Sequence, residues 1–136
     1  QDYKKAAEYY EKVLELSPKD FDIQQHYAQC LVKLNIGKKA ERLFYENIVK
    51  DFHVAESFYE LSQLNIELNE PNKAFLFGIN YVLLTDDQDF REVLEKTFEV
   101  TYTSEHKIEL EAQLFATQLL FQFLFSFCIQ FGKLYF

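Results

Sequence analysis

Catalysis and metal binding need nucleophiles, titratable bases or ligating side chains gathered at fixed spacings, and the chain offers few of these. Its three histidines, His26, His53 and His106, fall in separate elements, and no HExxH or Glu-x-x-His pair places two ligands on one helical face. His106 and Glu109 stand one turn apart, which gives half a metal site at most and reads as an exposed helix pair. Cys30 and Cys128 are isolated, with neither a CxxC nor a Cys/His cluster, so they read as small buried hydrophobes rather than zinc ligands or disulfide partners. Free thiols agree with a cytoplasmic location, which is the expectation adopted. There is no glycine-rich phosphate loop, and no strand is predicted that could carry a strand-to-helix nucleophile elbow. The residues therefore predict no catalytic centre, no metal site and no cofactor.

What must be positioned, then, is a surface. With 136 residues, 49% of them hydrophobic, the chain is long enough for a continuous buried seam. Three Gly and two Pro leave few turn signals for a many-stranded sheet, so the fold class is all-α. No Met is present and the helical pattern opens at once, which predicts that the natural start lies upstream. The net charge of −8 is unevenly spread, with 9 Lys/Arg against 8 Asp/Glu in residues 1–50 and 4 against 14 in residues 51–111. Such an acidic middle repels a phosphate backbone, which excludes nucleic acid and favours a basic or neutral polypeptide partner.

Internal repetition supplies the strongest pattern. Ala6, Ala40 and Ala74 each follow a Lys and lie 34 residues apart. A small side chain is expected where paired helices approach closely, so all three are predicted to be buried at helix crossings. Tyr10 and Phe44 recur four residues later, whereas Gly78 interrupts the series. Tyr27-Ala28, with Leu31 and Leu34 after it, is matched one period on by Leu61-Ser62, with Asn65 and Leu68. This pattern resembles the tetratricopeptide repeat, whose first helix carries a large residue beside a small one and whose second carries a small residue followed by an aromatic. Tyr3, Ala6, Tyr10, Leu16 and Pro18 are similar to that family's second helix and its closing Pro. Phe52 and Asp86 stand where the Pro would recur, and Gln24 takes the place of the usual first aromatic.

The resemblance implies a right-handed α-solenoid of antiparallel helix pairs. Residues 1–86 would be repeats, beginning with the second helix of one, and residues 87–136 degenerate repeat or capping material. Apolar spacing and breakers place helices over roughly 2–16, 21–34, 37–50, 55–69, 71–84, 87–101 and 104–131, with Asp20 capping the second and Pro71 in the first turn of the fifth.

First helices of successive pairs line a concave groove in the family, and the matching positions here are Asp22, Gln25, Gln29 and Lys33, then Glu56, Tyr59, Gln63 and Glu67. Tyr59 stands out as an aromatic with a polar tip on a face that needs none for packing. The basic clamp by which chaperone adaptors of the family grip a carboxylate is not matched, Lys33 being the one cation of the set. The function implied is a protein-binding scaffold or adaptor.

Residues 112–132 carry no charge and residues 114–136 hold seven Phe, a run long enough to cross a bilayer. Gln118, Gln122, Ser126 and Gln130 nevertheless form a polar line, and only Lys107 and Lys133 flank the run. The reading adopted is a long aromatic helix packed between protein layers and prone to self-association. The alternative is the anchor of a membrane-bound assembly factor.

Overall fold

The computed structural model describes residues 2–98, and among them every regular element is an α-helix. Six run in order: α1 (Tyr3–Leu16), α2 (Phe21–Lys33), α3 (Gly37–Val49), α4 (Val54–Glu67), α5 (Pro71–Thr85) and α6 (Gln88–Phe98). Each packs on its neighbour in sequence, and α2 also touches α4, so successive helix pairs stack side by side. The helix expected over 104–131 lies outside the described residues.

Local chemistry sets the boundaries. Asp2, Asp20 and Asp87 cap α1, α2 and α6, accepting from the amides of Lys5, Ile23 and Phe90 at 3.1, 3.1 and 2.9 Å. Pro71 opens α5, where a missing N–H costs nothing. Asn35 and Asn69, again 34 residues apart, end α2 and α4 at positive φ (59° and 57°). The chain then turns back through Ile36 N–H to Leu31 O (2.9 Å) and Glu70 N–H to Asn65 O (2.8 Å). This closure satisfies terminal carbonyls and suits Asn, which tolerates the left-handed region.

The core is a seam between the pairs. Ala28, Ala40, Phe44, Leu61 and Ala74 are wholly buried. The α4–α5 crossing is tight enough for the Ser62 hydroxyl to donate to the Ala74 carbonyl at 2.7 Å. Ala40 and Ala74 thus sit as the repeat register requires, whereas Ala6 is only partly buried and Ala7 (8% exposed) takes the inner place. The reason is that α1 runs alongside α2 alone among the described helices, so the demand for a small residue is weaker there.

Gly78 is not a simple gap in the aromatic series. A Cβ on it would lie 2.7 Å from Leu94 Cδ2 and 2.9 Å from the Ser62 hydroxyl, so α6 inserts Leu94 where the other copies place an aromatic ring. Leu94 is 1% exposed, so moving its methyls aside disturbs packed neighbours.

One polar brace links three helices. Lys39 of α3 donates to Tyr27 Oη (2.8 Å) and to Glu11 Oε1 of α1 (3.2 Å), and Tyr27 of α2 donates to the same Glu11 oxygen at 3.1 Å. Hydrogen bonds from Lys39, then Tyr27, lower the Glu11 carboxyl below its ordinary value, while the Tyr27 hydroxyl, the largest cause, raises the Lys39 ammonium.

Two outcomes are expected. Ala40→Leu overpacks a wholly buried crossing and Gly78→Ala drives a methyl into Leu94, each lowering stability by about 1–3 kcal/mol in urea unfolding, more than the helix propensity gained at Gly78 returns. The second concerns acid. A carboxyl lowered on folding contributes fully above its unfolded value, near 4.5 for Glu11, and its contribution is lost as pH falls through the folded value. Wild-type stability should therefore decline more steeply below that pH than that of Glu11→Gln, measured by denaturant midpoints at successive pH values.

Candidate functional site

Helices α2 and α4 form the walls of a cleft of about 530 Å³, to which Tyr3 and Tyr10 of α1 also contribute. His26, Gln29, Cys30, Val32 and Lys33 line one wall and Tyr59, Glu60, Gln63, Leu64 and Glu67 the other. Gln29 Nε2 donates to Glu60 Oε1 across the cleft at 3.1 Å. His26 stacks on Tyr10, with centroids 6.1 Å apart. Burial raises the Cys30 thiol above its ordinary value and so disfavours the reactive thiolate, in keeping with its reading as a core residue.

Five of the eight groove positions read from the sequence, Gln29, Lys33, Tyr59, Gln63 and Glu67, do line this cleft. Gln25 does not. It is 4% exposed and accepts from Asn47 Nδ2 (2.7 Å) and the Ser57 hydroxyl (3.0 Å), so its side chain points into the layer between α2, α3 and α4. Asp22 faces away as well: it pairs with the His53 ring and borders a shallow recess at the helix ends, where Phe21 stacks on Phe52 at 4.8 Å. Glu56 is exposed on α4 just before the cleft lining begins.

Tyr59 also differs from the sequence expectation, because its ring does have packing partners. It leans on Tyr81 and Phe90, with centroids at 5.2 and 5.1 Å, and keeps 38% of its surface open. Both partners are fixed in turn by Asp87, whose carboxylate accepts from Tyr81 Oη (2.9 Å) while capping α6. The Phe90 amide, followed by the Tyr81 hydroxyl, lowers the Asp87 carboxyl below its ordinary value, keeping it charged. Sequence reasoning did not select His26 or Glu60, although both occur at the three- and four-residue spacings of the residues it chose.

A buried amide network holds the two walls in register. Gln24 Nε2 donates to Asn47 Oδ1 at 3.0 Å, and Asn47 Nδ2 reaches both Gln25 and the Phe21 carbonyl. Ser57 on α4 donates to the same Gln25 oxygen, so Gln25 of α2 joins α3 and α4. Gln24, which replaces an aromatic in the repeat pattern, is thus a structural amide and not a gap.

The geometry can be set beside a family match over the N-terminal part of the chain. Residues 1–44 match the tetratricopeptide repeat family. They span α1, α2 and the first half of α3, and α4–α5 repeat the same helix pairing one step on. Tetratricopeptide repeats generally mediate protein–protein interaction and are typically not enzymes. No curated protein and no solved structure matches the chain significantly. Among the described residues no cluster of His, Cys, Asp or Glu could hold a metal, and no helix is long and apolar enough to cross a membrane.

Removing the centre of the amide network should be costly. Asn47→Ala leaves Gln24 Nε2 with only its 3.4 Å bond to the Leu43 carbonyl and Gln25 Oε1 with only the Ser57 donor, and it opens a gap at a wholly buried position, so about 1–3 kcal/mol of stability is expected to be lost, read from urea midpoints. Ser57→Ala, which removes one donor to an oxygen that Asn47 still satisfies, should cost less.

Proposed function

We propose that the protein is a scaffold or adaptor module, working in the cytoplasm, that binds a polypeptide partner in the cleft between α2 and α4. The observation that carries this reading is the cleft itself. It combines a propped, partly open aromatic ring with amides and carboxylates on two walls held in register by buried hydrogen bonds. A rigid aromatic anchor ringed by polar groups is the usual composition of a binding hot spot, and a preorganised wall spares the entropy of ordering on association. Gln29, Lys33, Tyr59, Gln63 and Glu67 contact the ligand in this reading, while Gln25 and Asp22 support the helices that present them.

The array would continue as a right-handed solenoid in which residues 1–86 are repeats and residues 87–136 cap it or continue it in degenerate form. The alternative, a membrane-anchored assembly factor, rests on the aromatic C-terminal segment, which lies outside the described residues.

Photo-crosslinking tests the cleft directly. A crosslinking residue at position 63 should trap polypeptide partners, and Tyr59→Ala should remove those adducts, whereas the same group at position 8, exposed on α1, should trap none of them. Equal adducts from positions 63 and 8 would place binding elsewhere.

A further inference from the structure

The cleft walls are not equivalent in charge. Helix α4 carries Glu56, Glu60 and Glu67, and residues 51–72 contain no Lys or Arg at all. None of these three carboxylates has an ion-pair partner among the described residues. Lys33 is the one Lys or Arg in the lining and shares its end of the cleft with Glu67, since the two positions are one 34-residue step apart. At the opposite end no Lys or Arg of the lining offsets Glu60 and the neighbouring Glu56, and His26 is the titratable base that lines the facing wall. Tyr59 adjoins Glu60 in the chain and stands three residues, about one turn, after Glu56, and its ring is backed by Tyr81 and Phe90 so that its orientation is set before any ligand arrives. Gln29 likewise fixes the Glu60 carboxylate through a donor to one of its oxygens.

Resting on the reading of this cleft as a polypeptide site, we propose that its anchor pocket takes an arginine or lysine side chain of the partner, set over the Tyr59 ring and against Glu56 and Glu60. A cation gains from the face of an aromatic ring and from carboxylates without an ion-pair partner among the described residues. An acidic side chain would meet only repulsion there, and an apolar one would leave Glu60 poorly solvated with nothing in return. The guanidinium suits the place better than the ammonium, because its flat fork can stack on the ring and donate to a carboxylate at once.

Fluorescence anisotropy with the full chain tests the assignment, using labelled hexa-arginine, hexalysine and hexaglutamate as probes. Hexa-arginine should bind most tightly, hexalysine less so and hexaglutamate not at all. Glu56→Gln with Glu60→Gln should weaken hexa-arginine by about tenfold or more, and Tyr59→Leu by roughly threefold. Glu8→Gln with Glu15→Gln removes the same charge from the exposed face of α1 and should change it less than about twofold. Equal losses from the two double variants would reduce the effect to net charge and overturn the anchor, as would preference for hexaglutamate. Selection from an unbiased peptide library separates the two levels. Enrichment of uncharged or acidic peptides whose binding Tyr59→Leu abolishes would overturn the cationic anchor yet keep the cleft. Peptides insensitive to every cleft variant would overturn both.

Discussion

The structure depends on how closely two helices can approach. Interaxial distance is set by the side chains at the crossing, and wherever α2 meets α3 or α4 meets α5 those side chains are small: Ala28, Ala40, Ser62 and Ala74, all wholly buried. At the second crossing the approach is close enough that Ser62 bonds to the backbone of α5. Because α3 is drawn tightly against α2, it leaves α4 free to lie beside α2, and only that adjacency makes a cleft. A larger residue at one crossing would tilt a wall relative to its neighbour, so the cleft geometry is inherited from alanines that never touch it.

The gaps between successive pairs are filled in two ways. Phe44 and Leu61 use apolar volume, whereas Gln24, Gln25, Asn47 and Ser57 form an amide and hydroxyl network. A ring is forgiving of rotation, but a hydrogen bond is not: Asn47 must present its oxygen to Gln24 and its nitrogen to Gln25 at the same time. The network therefore contributes directional constraint where hydrophobic packing alone would permit the helices to slide. Most of its polar atoms are satisfied, which keeps the burial of four polar side chains from becoming a net penalty.

Periodicity made the frame legible and local polarity misled. Lys-Ala steps and the Tyr27-Ala28 and Leu61-Ser62 pairs repeat at a fixed interval because each repeat meets the same packing demand, and so helix order and most boundaries followed from them. Gln25 was placed in the groove because an amide on a polar stripe looks the same in sequence whether water or Asn47 satisfies it. Gly78 looked like a break because the residue that fills its place, Leu94, comes from the following helix. Tyr59 looked unpacked for the same reason, its supports Tyr81 and Phe90 lying on two other helices. Asn35 and Asn69 also repeat at the fixed interval, and their left-handed backbone is the signal that closer attention to turn chemistry could have found.

Positions one repeat apart are geometrically equivalent, and comparing them separates what folding demands from what it leaves free. At the crossings Ala40 corresponds to Ala74, and the identity is imposed by distance. Along the cleft His26 corresponds to Glu60 and Lys33 to Glu67, and the second pair reverses the charge at equivalent places in the repeat. Solvated side chains on a helix face cost little to exchange, so stability neither requires nor opposes these differences. The same backbone spacing can therefore carry unlike charges on its two walls, and recognition is written in positions that the packing of the repeat does not constrain.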